Sequence, residues 1–245
     1  MKDTAIIMYS HSEYSDVWQM FFDQTDKYMP ADMKRYVFTD KGMGKVPNNW
    51  TVIEYDPEDS YARRVSSCVE QIEEEYCIFH HEDMPLYKEP DLEKISHFHS
   101  VLENDEEISY IKMVRGGLHE EKRTPQLYSD EQELYNLNLN SYFLFAVQPT
   151  LWKTENFHKV YKFSHIKHIS EFEMVATEIC KYFKIKGLYY YGGEDKRGEY
   201  HWDSSLYPYI ATAIVKGKWN VSEYYEELIP LTEKYNINVY ERGIA

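Results

Sequence analysis

Four short apolar runs, TAIIMYS (4–10), KRYVFTD (34–40), WTVIEYD (50–56) and YCIFHH (76–81), punctuate the first third of the chain, and helical periodicity fills two of the gaps between them. Runs of this length bounded by polar turns read as buried strands. SDVWQMFFDQTDKYM reads as a helix, with Ser15 placed to cap it and Asp16 in its first turn. DSYARRVSSCVEQIEEEY carries Ala62, Val65, Val69, Ile72 and Tyr76 on one amphipathic face, started by Asp59 or Ser60. Strand, helix, strand, strand, helix, strand is the order of an α/β domain with a mostly parallel sheet. Ligands of such sheets bind beyond the carboxyl ends of the strands. Ser10, His11, Asp40 and the cluster His81-Glu82-Asp83 all follow strand ends, so they are expected to converge on one crevice.

The remainder is less regular. PDLEKISHFHSVLEN (90–104) reads as a helix and ISYIKMVRGG (108–117) as a strand closed by two glycines. Residues 118–140 are polar and irregular, the pattern of a loop, and SYFLFAVQPTLW returns to strand. TENFHKVYKF, EFEMVATEICKYFKI and SEYYEELIPLTEKYN read as helices, and GLYYYGGEDKRGEYHWD as a hairpin or loop. No internal repeat or break in composition divides the chain, so a single domain over residues 1–245 is expected.

Charge narrows the partners. A net charge of −15 argues against a nucleic-acid partner, which needs a basic face. It leaves room for a phosphate-bearing small ligand, because a bound divalent cation reverses the local electrostatics. No apolar run approaches the roughly 20 residues of a membrane span. The apolar part of MKDTAIIMYS is too short for a signal peptide. The three cysteines, Cys68, Cys77 and Cys180, form no CxxC and read as reduced, buried thiols. A cytoplasmic location is the expectation. The 24 tyrosines and five tryptophans either fill the core or offer flat faces to sugars and bases.

The chemistry concentrates at YCIFHHEDMPLY, where a buried strand ends in two imidazoles and two carboxylates. Carboxylate oxygens are hard ligands suited to Mg²⁺ or Mn²⁺, which one or two of them hold together with substrate phosphates. Equally, HHED is a solvated turn ended by Pro85. Arg63-Arg64, about 20 residues upstream, either hold a phosphate or pair with surface acids. His97 and His99 read as surface residues, and Trp152 and Trp219 as core or as sugar-stacking rings.

YCIFHHEDMPLY resembles the acidic strand-end motif of nucleotide-sugar-dependent glycosyltransferases of the GT-A fold, whose usual form is Asp-x-Asp. IIMYSHSEYSDVW is similar to the family's first strand and turn, and VFTD to its second. FAVQPTLWK, ISEFE and YHWD…IVKGKW resemble later segments, so the likeness runs over roughly residues 4–220. His81 stands where the first aspartate belongs, which is the main departure.

The resemblance implies a Rossmann-like α/β fold, a mixed and mostly parallel sheet flanked by helices. The donor would bind in about residues 1–115 and the acceptor in about 116–245. It implies transfer of a sugar from a nucleoside diphosphate sugar to a glycan or glycolipid hydroxyl, assisted by Mn²⁺ or Mg²⁺. Asp83 and His201 would hold the metal. Tyr9, Ser10, His11, Asp40, Arg63, His81, Glu82, Lys216 and Lys218 would contact the donor. Glu171 and Glu173 would be candidates for the base of an inverting transfer, although Ser170-x-x-Glu173 also has the spacing of a helix-capping box. Two rivals stand beside this reading: an inactive GT-A-like binding module, favoured by His81, and a metal-dependent hydrolase, weakened by the lack of a second ligand cluster.

Overall fold

A computed structural model describes the chain except for residues 2, 43, 117–125, 142, 167–168 and 198–200, and for the side chains of Ile169, Ser170 and His201. In chain order, β1 (Thr4–Tyr9) leads into α1 (Ser15–Tyr28), β2 (Lys34–Thr39), β3 (Thr51–Glu54), α2 (Tyr61–Val69) and β4 (Tyr76–His81). Then come α3 (Leu92–Asn104), β5 (Ile108–Lys112), β6 (Gln126–Ser129), β7 (Leu134–Asn136) and β8 (Thr150–Lys153). The helices α4 (Thr154–Lys162) and α5 (Ile169–Phe183) precede β9 (Lys186–Tyr190). Two short hairpins follow, β10 (Lys196–Arg197) with β11 (His201–Trp202) and β12 (Ile214–Val215) with β13 (Lys218–Trp219). The described chain closes with α6 (Tyr225–Lys234) and α7 (Val239–Arg242).

Nine strands form one sheet in the order β3-β2-β1-β4-β8-β5-β9-β7-β6. Its first block, β3 through β4, is parallel throughout, and β5 pairs in parallel with β9. The short strand β8 runs antiparallel between β4 and β5. The sheet is therefore mixed, with a parallel core. Every residue of β1 is buried, as an apolar run covered on both faces requires. Its pleat sends Ile6 and Met8 towards the side of α1 and α3, and Ala5, Ile7 and Tyr9 towards the side of α2, α4 and α5. Among the described residues no helix is long and apolar enough to cross a membrane.

Three expectations change, and a fourth reading, left open between two alternatives, closes. The stretch read as a loop contains β6 and β7, a hairpin at the sheet edge, while its residues 118–125 lie outside the described ones. Among the described residues of SYFLFAVQPTLW, only Thr150–Trp152 belong to a strand. Leu144 and Phe145 are buried without pairing in the sheet. His99 is buried rather than on the surface, with its ring 4.2 Å from that of Tyr76. Trp152 and Trp219 are fully buried core, Trp152 stacked on Tyr110 at 4.1 Å, and neither offers a face to a sugar.

Packing at that stack is tight enough to dictate a residue. A Cβ added at Gly187 of β9 would overlap the ring of Tyr110. Tyr110 is fully buried against Trp152 and cannot swing away. Gly187→Ala is expected to destabilise the fold by about 1–3 kcal/mol through overpacking. Thermal denaturation should show a fall of several degrees, and an unchanged midpoint would contradict the close approach.

Candidate functional site

β1 and β4 are parallel neighbours whose register pairs Tyr9 with His81, so the two strands deliver their last residues side by side. The pleat then separates the two imidazoles. His80 turns to the α1 side, where it is 2% exposed, with Nε2 2.8 Å from the Tyr207 hydroxyl and its ring stacked on that of Tyr207. It is a core residue. His81 turns to the α2 side, its Nε2 2.8 Å from the Tyr61 hydroxyl and its ring 5.4 Å from that of Tyr9.

Glu82 and Asp83 follow in a turn closed by the Met84 N–H donating to the His81 carbonyl at 3.1 Å. The Asp83 carbonyl accepts the Ala213 N–H at 2.9 Å, and its Oδ2 accepts the Ile214 N–H at 3.4 Å. The β12–β13 hairpin is thereby fastened against the acidic turn. A cleft of about 620 Å³ opens between them, lined by Tyr9, His11, Tyr61, Arg64, Lys216 and the His81–Asp83 turn.

Electrostatics in the cleft are set by burial. It pushes His80 down to about 3 and His81 down to about 4, so both rings are neutral at physiological pH. Glu82 is held well above the usual carboxylate range by burial and then by the adjacent Asp83. Asp83 is raised chiefly by burial. The imidazoles have folded pKa values below their unfolded value near 6.5. Their contribution to stability is full above that pH and is lost as pH falls towards 4 and then 3. The carboxylates act with the opposite sign, their cost growing as pH rises from the ordinary carboxylate range. In an NMR titration neither the His80 nor the His81 ring should take up a proton above about pH 5. A ring titrating near 6.5 at either position would contradict this burial.

The other expected site residues divide into those on the cleft wall and those behind it. Tyr9, His11, His81, Glu82, Asp83 and Lys216 line it. Ser10 lies beneath, its Oγ accepting the Trp18 indole N–H at 2.7 Å. Asp40 accepts the N–H and hydroxyl of Ser12 at 2.7 and 2.8 Å. Burial alone would raise its carboxyl, but the two bonds from Ser12, with His11 nearby, outweigh burial and hold it low. Ser10 and Asp40 thus shape the turn that presents His11. Lys218 is exposed and off the wall; Lys216 reaches it from a left-handed turn (φ 50°) completed by Gly217 at φ 78°. The backbone of His201 lies in β11, and its side chain is outside the described ones.

Arg63 points away from the cleft and pairs with Asp59 at 3.1 Å; Arg64 takes the place expected of it. One residue along an α-helix is a rotation of about 100°, and α2 turns its Tyr61–Arg64 face inward. Tyr9 and Tyr55 stack at 5.3 Å, and the Arg64 guanidinium lies 5.3 Å from the Tyr55 ring. One Arg64 Nη donates to the Pro57 carbonyl, and its buried Nε has no partner among the described residues. Glu171 is exposed on α5, and Glu173 accepts the Val147 N–H at 2.6 Å through Oε1. Neither lines the cleft. Tyr14, Tyr61, Ile214 and Gly217 were not singled out from the sequence, and Arg64 was noted only as half of an arginine pair. The spacing of Tyr61 and Arg64 on one helical face was their available signal.

Among the described residues no three His, Cys, Asp or Glu side chains converge as a ligand set. The site nevertheless fits a cation completed by substrate phosphates. Glu82 and Asp83 place two hard oxygen donors on the wall, and both resist ionisation without a positive charge beside them.

No protein-family model matches the chain, and no curated protein matches it in sequence. Among solved structures, that of S. aureus TarS residues 1–349 in complex with UDP-GlcNAc is similar, with a TM-score of 0.55 and 13% identity. The likeness covers 98% of this chain and 68% of that one. At that identity it shows the fold alone, a mixed α/β domain.

Proposed function

We propose that the protein is a nucleotide-sugar-dependent glycosyltransferase that moves a sugar from a nucleoside diphosphate to a hydroxyl of a glycan or glycolipid. The observation that carries this reading is the composition of one cleft. At the carboxyl ends of β1 and β4 it combines an acidic pair, Glu82 and Asp83, with two cations, Arg64 and Lys216, and the rings of Tyr9 and Tyr61. A diphosphate needs cations, a divalent metal needs carboxylates, and a base or sugar packs well on tyrosine. Support also comes from the fold shared with a structure that contains UDP-GlcNAc.

In this proposal Asp83, assisted by Glu82, would hold Mn²⁺ or Mg²⁺, which when bound would neutralise charge on the departing diphosphate. Arg64 and Lys216 take phosphate oxygens. His81 is neutral and tied to Tyr61, so it orients that wall rather than supplying charge. With Glu171 and Glu173 both off the wall, the cleft offers neither as a base. The proposal is of transfer, without a stereochemical assignment.

The experiment is a thermal-shift screen of UDP, GDP, dTDP and CMP with and without Mn²⁺. One nucleotide at about 100 times its Kd should contribute roughly 2.7 kcal/mol. For a domain this size that is a rise of about 5–10 °C, dependent on the metal. No shift with any nucleotide would sink the reading. His81 also favours a second one, an inactive binder, because a neutral imidazole stands where the resembled family has a carboxylate. Nucleotide binding without nucleotide release from any sugar donor would select that alternative.

A further inference from the structure

On the far side of α2 from the cleft lies a separate pocket of about 380 Å³. Ligand pockets run from roughly 300 to 1,000 Å³, so this one suits a small molecule. Ser60, Arg63, Ser67 and Glu70 form one stripe of α2 along its wall, at helical spacings of 3, 4 and 3. Lys162 and Ser164, from the end of α4 and the turn after it, face them. Ser164 is 5% exposed, and its Oγ has no hydrogen-bond partner among the described residues. A buried hydroxyl left unpaired costs free energy that a ligand can recover.

The charges select the ligand class. Arg63 is paired with Asp59, just off the lining, at 3.1 Å, and Lys162 with Glu70 at 3.4 Å, so neither cation on the wall is without a counter-charge. An anion would meet Glu70, and a cation would meet Arg63 and Lys162. What remains is a mixed set of donors and acceptors: serine hydroxyls, a guanidinium, an ammonium and a carboxylate. A sugar hydroxyl both donates and accepts, and complements such a set. We propose that this pocket is a second saccharide site, distinct from the cleft, that takes one neutral sugar residue. The inference does not rest on the donor reading, since sugar binding here would stand even if no nucleotide bound.

The test is an amide NMR titration of the full chain with glucose, galactose and N-acetylglucosamine, and separately with glucuronic acid and glucose 6-phosphate. At least one neutral sugar should give saturable shifts in residues 60–70 and 161–165. Arg63→Ala, on the surface, should weaken it about tenfold, the equivalent of one charged hydrogen bond. The same variant should leave the thermal response to nucleotide intact. Ser164→Val, if folded, should weaken the sugar likewise. Binding only by the two charged sugars overturns the proposal. So does a titration with no saturable shift, or shifts confined to the cleft and untouched by Arg63→Ala.

Discussion

Asp83→Asn is expected to remove the metal-dependent part of nucleotide binding and to slow sugar transfer by roughly a thousandfold, while making the metal-free protein more stable. The two effects have one origin. Burial holds Glu82 and Asp83 above their ordinary range, with Asp83 raising Glu82 further, so at neutral pH the free protein bears the cost of keeping them there. A divalent cation between them and a diphosphate would reverse that cost, and a metal contributes several kcal/mol of charge stabilisation, equivalent to about three decades in rate. The amide keeps the shape and can still accept the Ile214 N–H, but it has no charge to offer. Each kcal/mol of relief would raise the thermal midpoint by about 2–4 °C. The sign with pH follows from the raised pKa values: the gain over wild type should be small near pH 4 and grow as pH rises. A variant that keeps the Mn²⁺-dependent nucleotide shift would overturn the assignment of Asp83.

Stability gained by disarming a site is the usual mark of a functional residue, so that outcome would support the choice of Asp83 made from the sequence. The strand-end rule located Tyr9, His11 and the His81–Asp83 turn because their position depends only on where β1 and β4 stop. It could not give the partners of His80 and His81, which stand on opposite faces of one strand. Nor could it phase α2. The apolar stripe identified the buried face, but which polar neighbour, Arg63 or Arg64, borders the cleft depends on how the helix sits on the sheet. The hairpin β6–β7 was illegible for another reason. At the sheet edge Leu127 is 50% exposed and Tyr128 38%, so no apolar alternation marks the strand. In 141–152 the opposite error arose, because buried irregular chain and buried strand carry the same apolar signature. Glu173 shows the limit of spacing: its carboxylate takes the Val147 N–H from another segment, a partner that a local capping pattern does not reveal.

The arginine pair turns that phasing question into the second large expectation. Arg64→Ala should weaken nucleoside diphosphate binding by roughly 10- to 100-fold, the range of one or two charge-assisted hydrogen bonds. Arg63→Ala should change it less than twofold. The Arg64 side chain is already held in place for a phosphate. Tyr55 lies beneath its guanidinium, the Pro57 carbonyl anchors one Nη, and the buried Nε has no partner among the described residues. Little side-chain entropy is then left to lose when a phosphate arrives. Arg63 is three-quarters exposed and already paired with Asp59, an arrangement worth little to stability. Arg64→Lys discriminates further. A lysine restores the charge but not the forked donor set of the guanidinium, so it should recover only part of the loss. Isothermal titration of the three variants with the nucleoside diphosphate that the thermal screen selects, in the presence of Mn²⁺, reads all of these outcomes. Equal losses at positions 63 and 64 would mean that the diphosphate does not lie along the inward face of α2. Loss at 63 alone would place it in the pocket on the helix's other side.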